Sequence, residues 1–246
     1  MRAQLQRWIA AHRSEMLADL AALVEIPSVA QVGADGLPYG KDCRAALAYA
    51  QTVAHKLGLV TTVYDDAVLT AQHSAGEADF AILCHLDVVS AGEGWDTAPY
   101  AVTQQDGWLY GRGVTDNKGP AVAALYAMAA VNALYPALAR RAQVWLGTAE
   151  EIGSPDLQNW LKQYEMPPVA ITPDTTECIV HGESAKYRPA LSMAWERSDA
   201  LPRVTCLQGG RVRNAIPAGA EATVAGLTAD EVRPIADAWS AECEVA

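Results

Sequence analysis

Several short polar motifs in this chain each follow an apolar run or open an apolar helix, and their side chains are those that bind metal ions or move protons. Phe80-Ala81-Ile82-Leu83-Cys84 runs into His85-Leu86-Asp87, and Val144-Trp145-Leu146 runs into Gly147-Thr148-Ala149-Glu150-Glu151. Val169-Ala170-Ile171 runs into Thr172-Pro173-Asp174, while Asp116 stands in the Gly-rich loop 111–119, directly before an Ala- and Leu-rich helix. Ligands of an open α/β sheet bind beyond the carboxyl ends of its strands, so these residues are the first candidates for a site. One imidazole and several carboxylates at one sheet edge would be prohibitively costly to bury without cations. Imidazole and carboxylate without thiolate suit zinc in a hydrolytic centre, with cobalt or manganese as substitutes, and the number of acids points to more than one ion. Two ions ~3.5–4 Å apart clamp an attacking water and a reacting oxygen, which suits amide hydrolysis, and they need a carboxylate between them. Glu150 and Glu151 point in different directions on either a helical or an extended backbone. One can therefore bind metal while the other faces the water as general base.

Each motif has a plainer reading. A buried His-x-Asp usually only satisfies hydrogen bonds, an acidic pair before a helix usually only complements its dipole, and Asp174 alone is a turn residue. The loop 111–119 could pass for a dinucleotide fingerprint, but Asp116 stands where the third Gly belongs and would repel a pyrophosphate. Four motifs at four strand or helix ends favour the metal reading over the sum of these accidents.

The elements that must position these residues show in the hydrophobic pattern. Leu5, Trp8, Ile9, Met16, Leu20, Leu23 and Val24 share one helical face, and Pro27 closes that helix. A second helix is expected with Asp42 as N-cap, Leu47, Val53 and Leu57 as its stripe and Gly58 as its stop. Residues 59–64 and 67–72 read as short strands, whereas 80–84, 144–146 and 169–171 read as buried ones. Asp106-Gly107 marks a hairpin, Gly119-Pro120 opens a helix to Leu134, and Ser154-Pro155 caps and opens another. The tail differs: residues 190–195, 204–207 and 221–226 alternate as half-solvated strands, and Thr228-x-x-Glu231 resembles a capping box before a helix interrupted by Pro234. The expected fold is α/β, a mainly parallel sheet with helices on both faces over residues 1–184, followed by an α+β block over 185–246.

Composition narrows the function classes. The 246 residues are 51% hydrophobic, which is enough for a sizeable core, and the formal net charge of -11 without a basic run argues against nucleic acid or an anionic membrane as partner. Residues 1–20 mix charges with apolar residues, unlike a signal peptide or membrane span, so a cytoplasmic location is expected. Cys43, Cys84, Cys178, Cys206 and Cys243 are scattered without a C-x-x-C pair and are read mostly as buried small hydrophobes, neither disulfides nor zinc ligands.

In their order and spacing the motifs resemble the zinc aminoacylase and dipeptidase family, which includes bacterial Xaa-dipeptidases, carnosinases, glutamate carboxypeptidases and succinyl-diaminopimelate desuccinylase. The resemblance rests on His85-Leu86-Asp87-Val88-Val89, Gly94-Trp95, Asp106-Gly107-x-x-Tyr110-Gly111-Arg112-Gly113, Asp116-Asn117-Lys118-Gly119-Pro120, Glu150-Glu151-Ile152-Gly153 and Thr172-Pro173-Asp174. It implies a catalytic zinc-hydrolase domain over 1–184 and, from Gly209-Gly210 and Asn214-x-Ile216-Pro217, the start of a lid domain over 185–246 through which a homodimer could form. By the same resemblance two Zn²⁺ ions (or Co²⁺ or Mn²⁺) are bound. His85, Asp116 and Asp174 would hold one, Asp116 would bridge, and Glu151 would hold the other. Glu150 would be the general base, Asp87 would orient His85 through its second ring nitrogen, and Asn214 would contact substrate. A simple helix cap is the alternative for Asp87. Asp174 together with Asp-Asn-Lys-Gly-Pro is closer to the dipeptidase branch than to the desuccinylase branch.

The implied activity is hydrolysis of a dipeptide by a metallo-dipeptidase, with N-acyl amino-acid deacylation and a non-catalytic truncated homologue as alternatives. The family completes its second zinc site with a histidine that follows the lid. After Asp174 this chain has His181, which follows its strand too closely for that role. The chain is therefore expected to be an N-terminal part whose second site binds weakly, and which alone is poorly soluble and inactive.

Overall fold

The computed structural model describes every residue except 75, 140–141, 176–179, 181, 183–189, 191, 195–197, 211–218 and 244–246. Two compact units divide the chain at Met1–Glu183 and Ser184–Ala246.

The first unit is built on a five-stranded sheet. It contains α1 (Arg2–Val24), α2 (Lys41–Lys56), β1 (Val60–Tyr64), β2 (Val68–Gln72), β3 (Phe80–His85), β4 (Thr103–Gln105) and β5 (Trp108–Tyr110). There follow α3 (Lys118–Leu134), α4 (Pro136–Ala139), β6 (Ala142–Gly147), α5 (Pro155–Trp160) and β7 (Val169–Ile171). The strand order is β1-β2-β6-β3-β7, and β4 and β5 form a separate hairpin. The α/β expectation holds, with parallel pairing concentrated in one half: β3 runs parallel to β6 and β7, while β2 runs antiparallel to β1 and β6. Connection length explains the split. Asp65 and Asp66 join β1 to β2 with both residues left-handed (φ 50 and 52), a tight turn that permits only antiparallel return. The long path from β3 to β6 through α3 is the crossover that parallel strands require.

Alternation along the strands gives the sheet two apolar faces. Leu69, Ala71, Val144 and Leu146 pack with Leu23 of α1, Leu47 of α2 and Leu125 of α3, all of them nearly or fully buried. On the other face Val68, Ala81 and Trp145 meet Tyr39, Cys43 and Trp160, and Trp145 and Trp160 contact edge to face at 4.3 Å between ring centroids. Each fully buried Leu or Val contributes ~1.5–3 kcal/mol, so the helices on the first face are held chiefly by that stripe.

Local details correct several expectations. α2 starts at Lys41 behind Gly40 (φ 90), and Asp42 lies in its first turn as a dipole partner, because Asp35 Oδ2 already accepts the N–H of Lys41 at 3.4 Å. Ser154 precedes α5 but makes no capping bond, since its backbone is left-handed (φ 57). β7 is an edge strand rather than a covered one, with Val169 57% and Ile171 51% exposed. Its three residues pair with β3, and among the described residues no strand lies on its other side. Asp106 and Gly107, both with positive φ, form the expected hairpin turn between β4 and β5.

In the second unit β8 (Arg203–Gly209) pairs antiparallel with β9 (Ala220–Ala225), and α6 (Ala229–Cys243) follows. Half of its capping box forms: Glu231 Oε2 accepts both the N–H and the hydroxyl of Thr228 at 2.8 Å, while the Glu231 N–H goes to the Thr228 carbonyl. Pro234 lies inside α6. The strand expected at 190–195 is not seen at residues 190 and 192–194, the described part of it. Cys43 and Cys84 are buried thiols, whereas Cys206 is exposed on β8. Among the described residues no helix is long and apolar enough to cross a membrane.

Candidate metal centre

β3 delivers His85 to the carboxyl edge of the sheet, 3% exposed and paired with Gly147 at the end of β6. Its Nδ1 lies 3.0 Å from the main-chain carbonyl of Asp87. A carbonyl can only accept, so Nδ1 carries a proton, and Nε2 is the nitrogen left to face a metal. The Asp87 carboxylate is farther from Nδ1, at 3.4 Å. Its two oxygens instead accept the N–H groups of Glu150 and Glu151, each at 3.0 Å. Asp87 thus meets the imaginable roles of ring orienter and cap together: its carbonyl holds the ring, and its carboxylate caps the 3₁₀ turn that carries both glutamates.

That turn, Glu150–Ile152, is held from behind as well. Asp156, buried, accepts the N–H groups of Thr148 at 2.6 Å and Ala149 at 3.1 Å on Oδ2, and that of Leu157 at 2.8 Å on Oδ1. Asp156 Oδ2 also explains Gly147, where a Cβ would stand 2.7 Å from that oxygen. Four consecutive N–H groups therefore end on two buried aspartates, which leaves the glutamate side chains to project forward.

Asp116 precedes α3, and its Oδ1 lies 2.9 Å from His85 Nε2. Asp174 Oδ2 is 3.6 Å from the same nitrogen and Glu150 Oε2 is 3.9 Å away. Two ligand groups overlap at the ring: His85 with Asp116 and Asp174, and His85 with Glu150 and Glu151, the donor atoms within each lying within 4.8 Å of one another. Nε2 is buried yet makes no hydrogen bond of acceptable geometry, so the short approach of Asp116 is a gathering of donors around a common point. A divalent cation at that point satisfies the orphaned lone pair and the like charges at once, so the residues present fit such an ion.

Electrostatics without the ion agree. Burial opposes charge on His85, but the Asp116 and Asp87 carboxylates outweigh it and push the imidazole up to about 11, so that without an ion a proton takes the place on Nε2 that a metal would fill. The close approach of the His85 ring holds Asp116 below the usual carboxylate range. Burial, then the neighbouring Asp116, raises Glu151 to about 7, and burial raises Glu150 as well. Two adjacent glutamates that resist ionisation beside other acids are what a site for a positive charge offers. A cavity of about 910 Å³ opens there, with His85, Glu150 and Asp174 at its polar end and Leu83, Trp145 and Ile171 among its apolar walls.

Of the residues expected to act, His85, Asp87, Asp116, Glu150, Glu151 and Asp174 are brought together. Asn214 and His181 lie outside the described residues. Three buried supports were not anticipated: Asp156, Asn117 and Lys118. Lys118 Nζ donates to the carbonyls of Leu23 at 2.9 Å and Ile26 at 2.6 Å, tying the end of α1 to the start of α3, and burial pulls it down to about 8. The signal available was their place beside candidate ligands at a helix start; for Asp156 the Ser154-Pro155 pair drew attention to a cap that is not made.

Sequence and fold comparisons find similarity to peptidases. The family described as "Peptidase family M20/M25/M40" matches residues 81–200. "Putative dipeptidase YtjP" of Bacillus subtilis (strain 168) is 28% identical over 224 residues, covering 89% of this chain and 48% of that protein. A similarly named "Putative dipeptidase" of Staphylococcus epidermidis is 33% identical over 175 residues, 70% of this chain and 37% of that one. Among solved structures, human carnosine dipeptidase 1 superposes with a TM-score of 0.61 at 25% identity, over 71% of this chain and 41% of its own. The chain thus resembles these peptidases in sequence and fold, and spans about half or less of the relatives' length.

Proposed function

We propose that this chain carries the metal-binding part of a metal-dependent dipeptidase, a cytoplasmic exopeptidase that hydrolyses the amide bond of a dipeptide. The single observation that carries the reading is the orphaned Nε2 of buried His85, faced by carboxylates from three separate elements. The similarity to proteins named as dipeptidases supports the substrate class. Residues 1–184 act as the catalytic domain, and 185–246 as part of a lid domain that mediates a homodimer.

His85, Asp116 and Asp174 would hold one ion, and Asp116 and Glu151 would hold a second; zinc suits this oxygen and nitrogen set, with cobalt or manganese as substitutes. When bound, such ions polarise the scissile carbonyl and lower the pKa of a water molecule. Glu150 takes the proton from the attacking water as general base and returns it to the leaving amine. Its raised affinity for protons, a result of burial, brings it closer to neutrality and suits that shuttle. Asp87 holds the His85 tautomer and the backbone of both glutamates, and Asn214 contacts the substrate.

The test is to measure metal content and hydrolysis of dipeptides alongside acetylated and succinylated amino acids, in the full-length protein. Dipeptide turnover that a strong chelator removes and zinc restores is the expected result. Cleavage of the acylated amino acids alone would replace the reading with deacylation, and undiminished activity after verified metal removal would sink it.

A further inference from the structure

Asn117 lies between Asp116 and the buried Lys118 at the start of α3 and is itself fully buried. Its amide nitrogen donates to Asp174 Oδ1 at 2.7 Å and to the carbonyl of Pro173 at 3.1 Å. Its amide oxygen accepts the main-chain N–H of His85 at 3.4 Å. One side chain thereby ties the end of β3 to the loop after β7, joining two residues that face the centre. The consequence for Asp174 is asymmetric. Oδ1 is engaged by Asn117, whereas Oδ2 turns to His85 Nε2 at 3.6 Å.

Carboxylates bind cations through one oxygen or through both, and the choice changes how many positions are left on the ion. A hydrolytic site needs an open position for water or for the carbonyl. We propose that Asn117 is a positioning residue that holds Asp174 as a one-oxygen ligand and so keeps a coordination position open. The proposal rests on reading His85, Asp116 and Asp174 as metal ligands. An amide suits the task because its N–H donates whatever the pH, while its oxygen anchors to a backbone N–H that does not move with the metal. Freed from this bond, Asp174 can rotate and chelate with both oxygens, which fills the position.

Cobalt reports the outcome directly, since Co²⁺ absorbs visible light strongly in four- and five-coordinate sites and weakly in six-coordinate ones. The chain is loaded with one equivalent of Co²⁺, and its spectrum is compared with those of Asn117→Asp, which keeps the shape but removes the donor, and Asn117→Ser, which leaves room for water. Circular dichroism establishes which variants fold. The folded variants are expected to lose most of the visible absorption and to bind Zn²⁺ ~10–100-fold more weakly by calorimetry, the usual effect of removing a partner of a ligand. His85→Ala should abolish the absorption altogether. Weaker binding with an unchanged spectrum would show mere structural support and overturn the proposal, as would wild-type binding and spectrum, both leaving the metal reading intact. A Co²⁺ spectrum indifferent to His85→Ala would overturn the metal reading and this inference with it. A crystal structure of the unaltered cobalt-loaded chain decides without any variant: one Asp174 oxygen on the ion supports the proposal, and two overturn it.

Discussion

Two polar clusters, each with a buried residue at its centre, lie in the first unit and follow different charge plans. Between the helices, Asp19 accepts from Tyr126 at 2.6 Å, Lys56 at 2.5 Å and Tyr49 at 3.4 Å, and Lys56 also donates to Tyr126 at 3.3 Å. One carboxylate there meets one ammonium and two hydroxyls, so its charge closes within the protein. At the strand ends His85 stands among Asp87, Asp116, Glu150 and Asp174, all within 3.9 Å of its ring nitrogens, with Glu151 beside them. Acids outnumber the base there, and the base keeps an unpaired nitrogen. A closed network needs no further partner and serves the fold by locking α1, α2 and α3 together. An open one with excess like charge around a buried imidazole gains from an added cation, and the proposed metal site rests on that gain.

The largest expected effect falls on the open cluster. Glu150→Gln in the full-length protein should reduce dipeptide turnover ~10²–10⁴-fold, the loss typical of a missing general base, with metal content unchanged. Glu151→Gln should instead lower metal occupancy, and the reverse pattern by metal analysis would exchange the two roles.

Next in size is the stabilisation that metal brings. At a free Zn²⁺ concentration of about 100 times Kd, binding adds about 2.7 kcal/mol, which for a unit of this size raises Tm by roughly 5–10 °C. His85→Ala should remove that rise and Tyr126→Phe should keep it in full. Equal loss of the zinc effect in both variants would erase the distinction between the clusters.

Tyr126→Phe should itself cost about 1–2 kcal/mol in chemical denaturation, because Asp19 loses a buried donor. Burial and then the Asp19 hydrogen bond raise the Tyr126 hydroxyl above its ordinary value of 10. A group that holds its proton more tightly when folded stabilises fully below its unfolded value and loses that stabilisation as pH rises through the folded one. The unaltered protein should therefore lose stability more steeply than Tyr126→Phe above about pH 10. Parallel alkaline curves would disprove the coupling.

The smallest effect belongs to a solvated carboxylate. Hydrogen bonds from the Thr228 N–H and hydroxyl hold Glu231 below its ordinary value. Its support for α6 is present above that value and fades as pH falls through the lowered one. Glu231→Gln should produce only a slight fall in helicity at neutral pH by circular dichroism, and should remove the acid-side change. A large global destabilisation would show that α6 depends on this cap more than an exposed position allows.

The sequence by itself determined the element order of the first unit, because apolar periodicity and turn chemistry act locally: the α1 stripe, the Asp106-Gly107 turn and the run from Phe80 to Cys84 need no distant partner to be recognised. It also determined which residue types gather at the strand ends, since a parallel connection returns each strand to the same edge of the sheet. Tertiary structure decided the rest. β7 reads as a core strand but lies at an edge, because its place in the strand order depends on which strand pairs with β3, and that is set far along the chain. Asp42 and Ser154 looked like caps, yet Asp35 and the left-handed backbone at Ser154 settle those helix starts differently. The supports of the site were the least visible of all. Asn117 reaches Asp174 across 57 residues, and Asp87 reaches Glu150 across 63. A buried hydrogen bond between such distant positions has no period and no local composition; only the packing of β3, β6 and β7 side by side brings its donor to its acceptor.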